Sequence, residues 1–518
     1  MMMAFTVSES CVKDLNRIPA YDITSATAYD DPANYRAIIA KIYAGMAVSG
    51  QQGPAGMPDI SGIDEGFSTY LRQYYNAQEL TTDEAVIGWN DGSIKDLHNM
   101  KWTSANEFLS AMYYRVFYQI TLCNEFIRET TDAKLAARGV TGDATIKAYR
   151  AEARFMRALS YWHALDMFGN TPFVVETDPL GAFLPPQTNR ANLFAYVESE
   201  LKDVENLMID PRQNEYGRAD KAAAWMVLAK LYLNAEVYIG TSRATDCITY
   251  CNKIIAAGYT LEPKYENLFK IGNRLSKEII FAVRFDGTRT KSYGGMTYLI
   301  HAPVGGSMKP SDFGINGGWG GLRTTKELVA LYNNASGKTD TSDTRAMFYT
   351  NGQTLEIDDI GDFTNGYAIA KYKNVDQAGK AGSDPDGNFP DTDFPMFRLA
   401  DVHLMYAEAV KRGGTGGTDA QALTYLNAIR QRAYKTTRTA LTTYSLDDIL
   451  NERGRELVWE MHRRTDLIRF KKFTTSAYLW TWKGGTKTGV AVSDNLNLFP
   501  IPAADVIANP NLKQNIGY

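Results

Sequence analysis

Two pairs of alanine-rich segments decide the fold of this sequence. "ADKAAAWMVLAKLYLNAEVY" (219–238) is followed after a short turn by "TSRATDCITYCNKIIAAGYTL" (241–261), and "LADVHLMYAEAVKRGG" (399–414) is followed by "TDAQALTYLNAIRQRA" (418–433). In each pair the first segment sets alanines beside bulky apolar residues at helical spacing. Because alanine lets helices approach closely, this pattern is typical of stacked helical hairpins of the tetratricopeptide type. We therefore predict a mainly α fold built from such hairpins.

Further helices are predicted in the N-terminal half. Residues 32–49, 104–130 and 145–168 carry apolar side chains at helical spacing. The last of these segments is apolar on several sides, which indicates a helix buried on most of its surface. It should end at "FGNTP", where Gly169 supplies a C-terminal cap and Pro172 prevents the helix from resuming.

The segment between the two helix pairs has a different composition. It is rich in Gly, Asn, Asp and Thr, "EIIFAVRF" (278–285) predicts a strand, and only residues 323–334 keep helical spacing. Long non-helical insertions in helical arrays are more often functional than not. The chain is therefore divided into an N-terminal extended segment at 1–30 and a single domain at 31–518. Within the domain we predict a helical scaffold at 31–258 and 399–470, an irregular ligand-binding region at 259–398 and a C-terminal tail at 471–518.

Near the C-terminus, "NERGRELVWEMHRRTDLIRF" (451–470) predicts one helix with acids before bases. Arg463 with Asp466 is spaced for a local ion pair. We favour a salt-bridged helix packed against the core. The alternative is an anion site made by the arginines of this helix: Arg453, Arg455, Arg463 and Arg464. The proline-containing tail after it shows no helical pattern.

Length, charge and composition limit the classes of protein to which this chain can belong. A chain of 518 residues can form two or three domains or one large helical array. The net charge of −4 argues against nucleic acid as a partner. No run of eighteen apolar residues occurs, so no membrane span is predicted. Cys123, Cys247 and Cys251 are expected to be small buried hydrophobes.

Catalytic patterns are weak in this sequence. The acidic doublets Asp64–Glu65 and Asp83–Glu84 do not form ready dyads, because adjacent side chains point in different directions. The five histidines never fall in H-E-x-x-H spacing. "DPDGNF" (384–389) has Phe389 where a calcium loop needs glycine, which favours a plain turn. We therefore predict a protein that is not an enzyme and has neither a metal site nor a cofactor.

Aromatic side chains at glycine-rich turns offer a different chemistry. "SYGGMTYLIHAPVGGSMKPSDFGINGGWGG" (292–321) places large rings among nine glycines, and Trp89 stands at a similar turn, "VIGWNDGS". Flat rings match the C–H faces of sugars, each contact contributing roughly 1 kcal/mol by analogy with aromatic pairs. If Trp89, Tyr293 and Trp319 converge, they form a curved platform for a neutral sugar chain. The alternative is that these rings are ordinary core aromatics.

Five segments together carry a family resemblance. In order along the chain, and covering it from about residue 30 to the end, residues 148–174, 216–233, 397–409, 451–470 and the "FPIP…NPNLKQNIGY" ending resemble the RagB/SusD family. The resemblance implies an outer-membrane, glycan-binding lipoprotein of Bacteroidetes-type bacteria that is exposed at the cell surface and is not an enzyme. It also implies a tetratricopeptide-like scaffold and a SusC-like TonB-dependent transporter as partner, with the binding protein as its lid.

Within that family the chain is most similar to its starch-binding member. The resemblance implies an aromatic arc and a set of groups that bind sugar hydroxyls, and it assigns Trp89, Tyr293 and Trp319 to the arc and Asp64, Arg72 and Asn90 to the hydroxyl contacts. Arg72 would donate a forked pair of hydrogen bonds and Asp64 would accept them. The alternative for Arg72 is a surface ion pair with Glu79.

The expected function is therefore non-catalytic binding of starch, α-glucan or maltooligosaccharides, followed by delivery to the transporter. The alternatives are a binder of another neutral glycan, a helical-repeat scaffold for protein interactions, and a glycosidase. Cys11 is preceded by "SES", which is a poor lipid-attachment setting because of Glu9. We expect the lipidated cysteine in an upstream anchor segment that has been removed.

Overall fold

The computed structural model describes residues 25–181, 183–334, 336–435 and 439–518. Cys11 and most of the predicted N-terminal extended segment lie outside these residues, and the described part of that segment contains a short helix. The described helices are α1 Ser25–Ala28, α2 Asn34–Ala44, α3 Tyr70–Gln78, α4 Lys95–His98, α5 Glu107–Glu129, α6 Asp132–Ala137, α7 Ala144–Met167, α8 Arg190–Val204, α9 Lys221–Leu233, α10 Ala235–Ile239, α11 Ala244–Ala256, α12 Gly295–His301, α13 Lys326–Ala330, α14 Leu399–Lys411, α15 Asp419–Tyr434, α16 Leu446–Glu456, α17 Arg463–Arg469 and α18 Ala503–Ala508.

Strands are few and short in the described residues. They pair antiparallel as β1 with β5, β2 with β3, β4 with β8, and β6 with β7. Their bounds are β1 Val86–Ile87, β2 Thr171–Pro172, β3 Gln187–Thr188, β4 Ile279–Val283, β5 Leu322–Arg323, β6 Phe348–Tyr349, β7 Ala368–Ile369 and β8 Phe394–Arg398. The mainly α prediction is confirmed.

The helical scaffold is a row of neighbouring helices. α5 packs on α7, α7 on α8, α8 on α9, α9 on α11, α11 on α14, and α14 on α15. Both predicted hairpins are present, as α9 with α11 and α14 with α15. The Asp220 carboxylate caps α9 by accepting from the Ala222 and Ala223 N–H groups, and the alanines that follow are fully buried where the neighbouring helices approach. The tetratricopeptide-like prediction is consistent with this arrangement.

α7 ends as the sequence predicts. Gly169 has a φ of 70°, which favours glycine, and its N–H donates to the Ala164 carbonyl. Along α7 most side chains are buried, as expected of a helix that is apolar on several sides. Cys123, Cys247 and Cys251 are also buried and free, which confirms their interpretation as core residues.

The prediction of one helix over 451–470 is wrong. α16 ends at Glu456 and α17 begins at Arg463, and between them Trp459 and Met461 take left-handed φ values of 59° and 67°. The predicted local pair of Arg463 with Asp466 is not made. Arg463 instead forms a bidentate pair with Asp83, at 2.8 Å from each oxygen, 380 positions earlier in the chain. Each arginine of the segment makes hydrogen bonds or ion pairs within the protein. This favours the salt-bridged interpretation over the anion site, although several of the partners are distant in the sequence.

Buried charges join the irregular region to the scaffold. Arg398, at the end of β8, pairs with Glu278 at 2.8 Å, with Glu456 at 2.6 Å and with Glu460 at 2.6 Å. Glu456 also binds Arg345, from the irregular region, at 3.1 Å. Their side chains are at most 1% exposed. The strand pair β4–β8 therefore enters the scaffold with its ends fixed by ion pairs.

The segment between α3 and β1 is clamped in the same way. Glu79 Oε1 accepts from the His462 N–H at 2.9 Å, and Glu84 Oε2 accepts from the Trp459 N–H at 2.7 Å. Burial raises the pKa of Glu79 to about 8 and the pKa of Glu84 well above its ordinary value. The two carboxyl groups are therefore held mainly in their protonated forms at neutral pH, and their contacts fix the chain between Arg72 and Trp89.

This clamp predicts a pH effect on stability. Because the folded-state pKa of Glu79 is raised from 4.5 to about 8, its contribution to the free energy of unfolding falls as pH rises through that window. In Glu79→Gln a neutral amide of similar size replaces the carboxyl group and does not titrate. We expect the variant to gain ~3 kcal/mol relative to wild type between pH 5 and pH 8.5, measured by urea unfolding at each pH.

Glu236→Gln provides the control, because Glu236 is exposed on α10. Its stability difference from wild type should not change with pH. An equally flat difference for Glu79→Gln would show that the pKa of Glu79 is not raised in the folded protein.

Candidate functional site

Three of the predicted rings meet at one surface of the protein. The ring centroids of Trp89 and Trp319 are 6.2 Å apart and inclined at 48°, and those of Tyr293 and Trp319 are 6.4 Å apart and inclined at 63°. Trp89 and Trp319 are half-buried, and Tyr293 is 37% exposed. These rings are therefore not sealed in the core, whereas Tyr298 and Phe313 of the same loop are buried. We call the three rings the aromatic arc.

Local backbone contacts set the order of the arc. β1 pairs with β5, so the turn after Ile87 and the loop before Leu322 lie side by side. The Trp89 indole N–H then donates to the Trp319 carbonyl at 3.1 Å. The Trp319 ring also stacks on the ring of the buried His301, with centroids 4.9 Å apart and planes inclined at 26°. Trp319 is thus supported by a neighbour from α12.

The glycines of this loop permit close approach. A Cβ on Gly321 would lie 2.4 Å from the Trp89 ring, and one on Gly318 would lie 2.1 Å from the Val304 carbonyl oxygen. Real Cβ atoms cannot occupy these positions without movement of a neighbour. The loop therefore needs glycine at these two positions because rings and backbone pack directly on it.

Arg72 lies at the centre of the site. Its Cζ atom is 4.4 Å from the Tyr298 ring centroid and 5.8 Å from that of Trp89. Nη1 donates to the carbonyls of Gly66 at 3.0 Å and Tyr293 at 3.4 Å, and Nη2 has no partner among the described residues. The predicted alternative, a surface pair with Glu79, is wrong because Glu79 is buried at the other end of α3.

Charge at the site is locally balanced. Burial lowers the pKa of the Arg72 guanidinium, and the nearby carboxylates of Asp91 and Asp64 oppose that change. Arg72, Trp89, Asn90, Asp91 and Trp319 line an open pocket of about 590 Å³. Asn90 and Asp91 are exposed at its edge. The arrangement offers flat rings, one cation and several hydrogen-bonding groups to a ligand with little net charge.

One expected site residue lies at the edge of the site. Asp64 is exposed, and its Oδ1 accepts from the Gly66 N–H at 2.7 Å. Its carboxylate is near enough to act on the Arg72 guanidinium, although Asp64 is not among the residues that line the pocket. Sequence reasoning missed Asp91 at the pocket edge and His301 beneath Trp319. The signal for His301 was its position three residues after Tyr298 in the short apolar run "MTYLIH". For Asp91 only the adjacency to Asn90 pointed to the site.

The predicted plain turn at 384–389 contributes to this surface. Asp384 Oδ2 accepts from the N–H groups of Asn388 and Phe389, each at 2.9 Å. Phe389 then packs against Tyr293 with centroids 5.8 Å apart. The aspartate is committed to the backbone, as a turn requires, and the turn supports the third ring of the arc.

Comparison with known proteins places the chain in a family. The model of the SusD family matches residues 347–518. The starch-binding protein SusD of Bacteroides thetaiotaomicron is 34% identical to this chain over 98% of its length and 96% of the relative's length. The chain belongs to the SusD family. A SusD-like protein of Bacteroides ovatus is 26% identical over 72% of this chain and 67% of that relative.

Solved structures share the fold of this SusD-family chain. Surface glycan-binding protein A from Bacteroides uniformis superimposes with a TM-score of 0.72 at 20% identity, covering 94% of this chain and 99% of that one. Surface glycan-binding protein A from Bacteroides thetaiotaomicron, in complex with laminarihexaose, gives a TM-score of 0.69 at 20% identity, covering 93% and 99%. Among the described residues no helix is both long and apolar enough to cross a bilayer.

The close packing of Trp89 on the loop can be tested at Gly321. Gly321→Ala should displace the Trp89 ring and lower the free energy of unfolding by about 1–3 kcal/mol. The near-ultraviolet circular dichroism of the coupled tryptophans should weaken. Gly317→Ala is the matched control, since its Cβ would meet nothing within 4 Å. Equal behaviour of the two variants would contradict the packing described for Gly321.

Proposed function

We propose that this protein binds starch-type α-glucan, including maltooligosaccharides, on the aromatic arc without cleaving it. The single observation that carries the proposal is the convergence of Trp89, Trp319 and Tyr293 at one surface, where Trp89 and Trp319 line an open pocket. Their segments lie up to 230 positions apart in the chain, yet the rings are neighbours. Large aromatic faces exposed together at a surface indicate a ligand with apolar faces of its own.

The inclination of the rings supports a curved ligand. Successive rings are tilted by 48° and 63°, so the arc is not flat. α-Glucan chains curve naturally, and an arc of rings contacts successive sugars of such a chain better than a flat platform does. The 34% identity to a starch-binding protein supports the same ligand class. Another neutral glycan is the second candidate, because a solved structure with the same fold carries laminarihexaose.

Hydroxyl recognition is assigned to the polar groups of the pocket. Arg72 is held by the Gly66 and Tyr293 carbonyls through Nη1, which leaves Nη2 for sugar hydroxyls. Asn90 is exposed beside it and supplies both a donor and an acceptor. Because both rings and guanidinium are held in place before binding, little conformational entropy is lost when the ligand binds.

The absence of cleavage is part of the proposal. Asp83 is committed to Arg463 and Glu84 to the Trp459 N–H, and both are buried. Carboxylates used in this way are not available to a sugar. Incubation of the protein with soluble starch should produce no new reducing ends. Their appearance would favour the glycosidase alternative.

Membership in the family supports the cellular setting that we propose. The protein would stand at the outer surface of the outer membrane, held by an N-terminal lipid anchor, and would deliver glycan to a SusC-like TonB-dependent transporter. Weak single-site binding suits this role, because repeated engagement along a polymer raises the overall affinity. Co-purification of the full-length protein with such a transporter from its native membrane would test this setting.

Trp319→Ala tests the binding site. Removal of the central ring should abolish retention on a starch affinity gel and weaken maltoheptaose binding at least tenfold by calorimetry, because the other two rings lose their shared neighbour. Wild type should also bind amylose, and Trp319→Ala should not. Neither protein should bind cellulose oligosaccharides. A preference for β-glucan would support the second candidate instead.

The control is Trp225→Ala, which removes a partly exposed ring on α9 in the helical scaffold. It should bind starch as wild type does. Unchanged retention of Trp319→Ala on the gel, with the protein folded by circular dichroism, would reject the proposed function.

A further inference from the structure

A large cavity lies outside the aromatic site. It has a volume of about 600 Å³ and opens between α2, residues 215–218, the end of β4 and residues 289–291. It shares no lining residue with the pocket of the aromatic arc. Small-molecule sites in proteins commonly have volumes of about 300–1,000 Å³. We call this space the α2 cavity and ask which ligand its walls fit.

The inner wall of the α2 cavity is apolar and fixed in place. Ile39 of α2 and Phe281 of β4 line it from buried positions. The half-buried Tyr43 lies between them, and its hydroxyl donates to Glu152 at 2.6 Å and accepts from the Ala219 N–H at 3.0 Å. Because the Tyr43 hydroxyl is already bound on the protein side, this wall offers hydrocarbon and ring surface to a ligand.

Several cations line the α2 cavity, and part of them are paired with carboxylates. The paired ones are Lys41 with Asp59, Arg36 with Glu215, and Arg218 with Glu152. These carboxylates largely compensate the fields of their partners, so the three cations add little attraction for a charged ligand.

Three further cations follow β4 and have no such partner. Arg284, Arg289 and Lys291 are exposed and line the cavity. Within the described part of the chain, no hydrogen bond or ion pair engages their side chains, although Lys291 lies over the Phe389 ring at 5.7 Å. The stem of Arg284 packs directly on Gly217, where a Cβ would lie 2.3 Å from Arg284 Cδ. Arg284 is thus held at the cavity.

Neighbouring acids do not neutralise these three cations by direct contact. The acids within electrostatic range are bound to backbone N–H groups instead: Asp286, Asp384 and Asp393. The α2 cavity therefore has an apolar side on α2 and β4 and a cationic side on residues 284–291, in a chain whose net charge is −4.

We propose that the α2 cavity binds a small amphipathic anion, with its apolar body against α2 and β4 and its anionic head at Arg284 and Arg289. Burial of the apolar body supplies most of the affinity, and the unpaired cations set the direction in which the ligand enters. A neutral sugar chain matches neither side of this cavity. The site is independent of the proposed glucan binding.

A fluorescent fatty-acid probe, 11-(dansylamino)undecanoate, tests the ligand class on the full chain. The probe should bind wild type, and decanoate should displace it about tenfold better than decanol, which has the same apolar body without the charge. Inorganic phosphate, which has the charge without the apolar body, should not displace it. Added salt should weaken the binding of decanoate more than that of decanol.

Ala40→Trp tests the location of the probe. Ala40 is exposed on α2 and lines the cavity, so a tryptophan there should fill the space and abolish probe binding. Ala420→Trp is the matched control, because it places the same ring at an exposed position of α15, outside the cavity. Both variants should be retained on the starch gel as wild type is.

The double variant Arg284→Glu with Arg289→Glu tests the role of the unpaired cations. Charge reversal at the mouth of the cavity should weaken the probe at least tenfold. The control is Arg274→Glu with Lys277→Glu, which makes the same change of charge at exposed positions outside the cavity. That control should bind the probe as wild type does.

Several results would overturn the proposal. Absence of probe binding to wild type, or equal binding by Ala40→Trp and Ala420→Trp, would show that the α2 cavity is not the site. Equal displacement by decanol and decanoate would show that the cations do not recognise the ligand. Displacement by maltoheptaose would make the cavity a second glucan site instead. Loss of starch retention by wild type would reject the proposed function alone, because probe binding does not depend on it.

Discussion

The structure depends on the buried ion pairs around Arg398. This guanidinium lies where the irregular region returns to the scaffold, and it binds three glutamates, one just before β4 and two at and just after the end of α16. Removing one partner of such a buried pair leaves an unpaired charge, which costs about 3–5 kcal/mol. Because few other arrangements satisfy all these charges, we infer that the pairs specify how the 259–398 region seats on the helices as much as they stabilise it.

The same kind of constraint reaches the candidate site. The pair of Asp83 with Arg463 and the carboxyl pair of Glu79 with Glu84 fix the chain between α3 and β1. Arg72 precedes this fixed segment and Trp89 follows it. The aromatic arc therefore rests on residues whose positions are set by buried polar contacts, although the rings themselves are carried by loops and turns.

The sequence predicts local features of this molecule better than distant ones. The hairpins of α9 with α11 and of α14 with α15 follow from alanine spacing, and the end of α7 follows from Gly169, because these signals act over a few residues. The break after α16 was missed. Its cause is distant, since Trp459 and His462 donate their N–H groups to the glutamates of the Glu79–Glu84 pair.

The candidate site was predictable only in part for the same reason. Glycine-rich turns with large rings are visible in the sequence, but neither periodicity nor composition shows that Trp89 meets Trp319, 230 positions away. That pairing came from the family resemblance. The resemblance in turn did not show how the turn before α3 is held, where the Gly66 N–H donates to Asp64 and the Gly66 carbonyl accepts from Arg72.

The balance of charge at the site explains what kind of ligand this surface can hold. Arg72 stands near Asp64 and Asp91, so the pocket presents a cation whose field is largely compensated. A charged ligand would gain little steering from such a surface and would compete with these existing interactions. A neutral sugar chain keeps them intact, adding stacking on the rings and hydrogen bonds to groups that are already in place. The compensated cation and the exposed rings therefore favour the same class of ligand, for independent physical reasons.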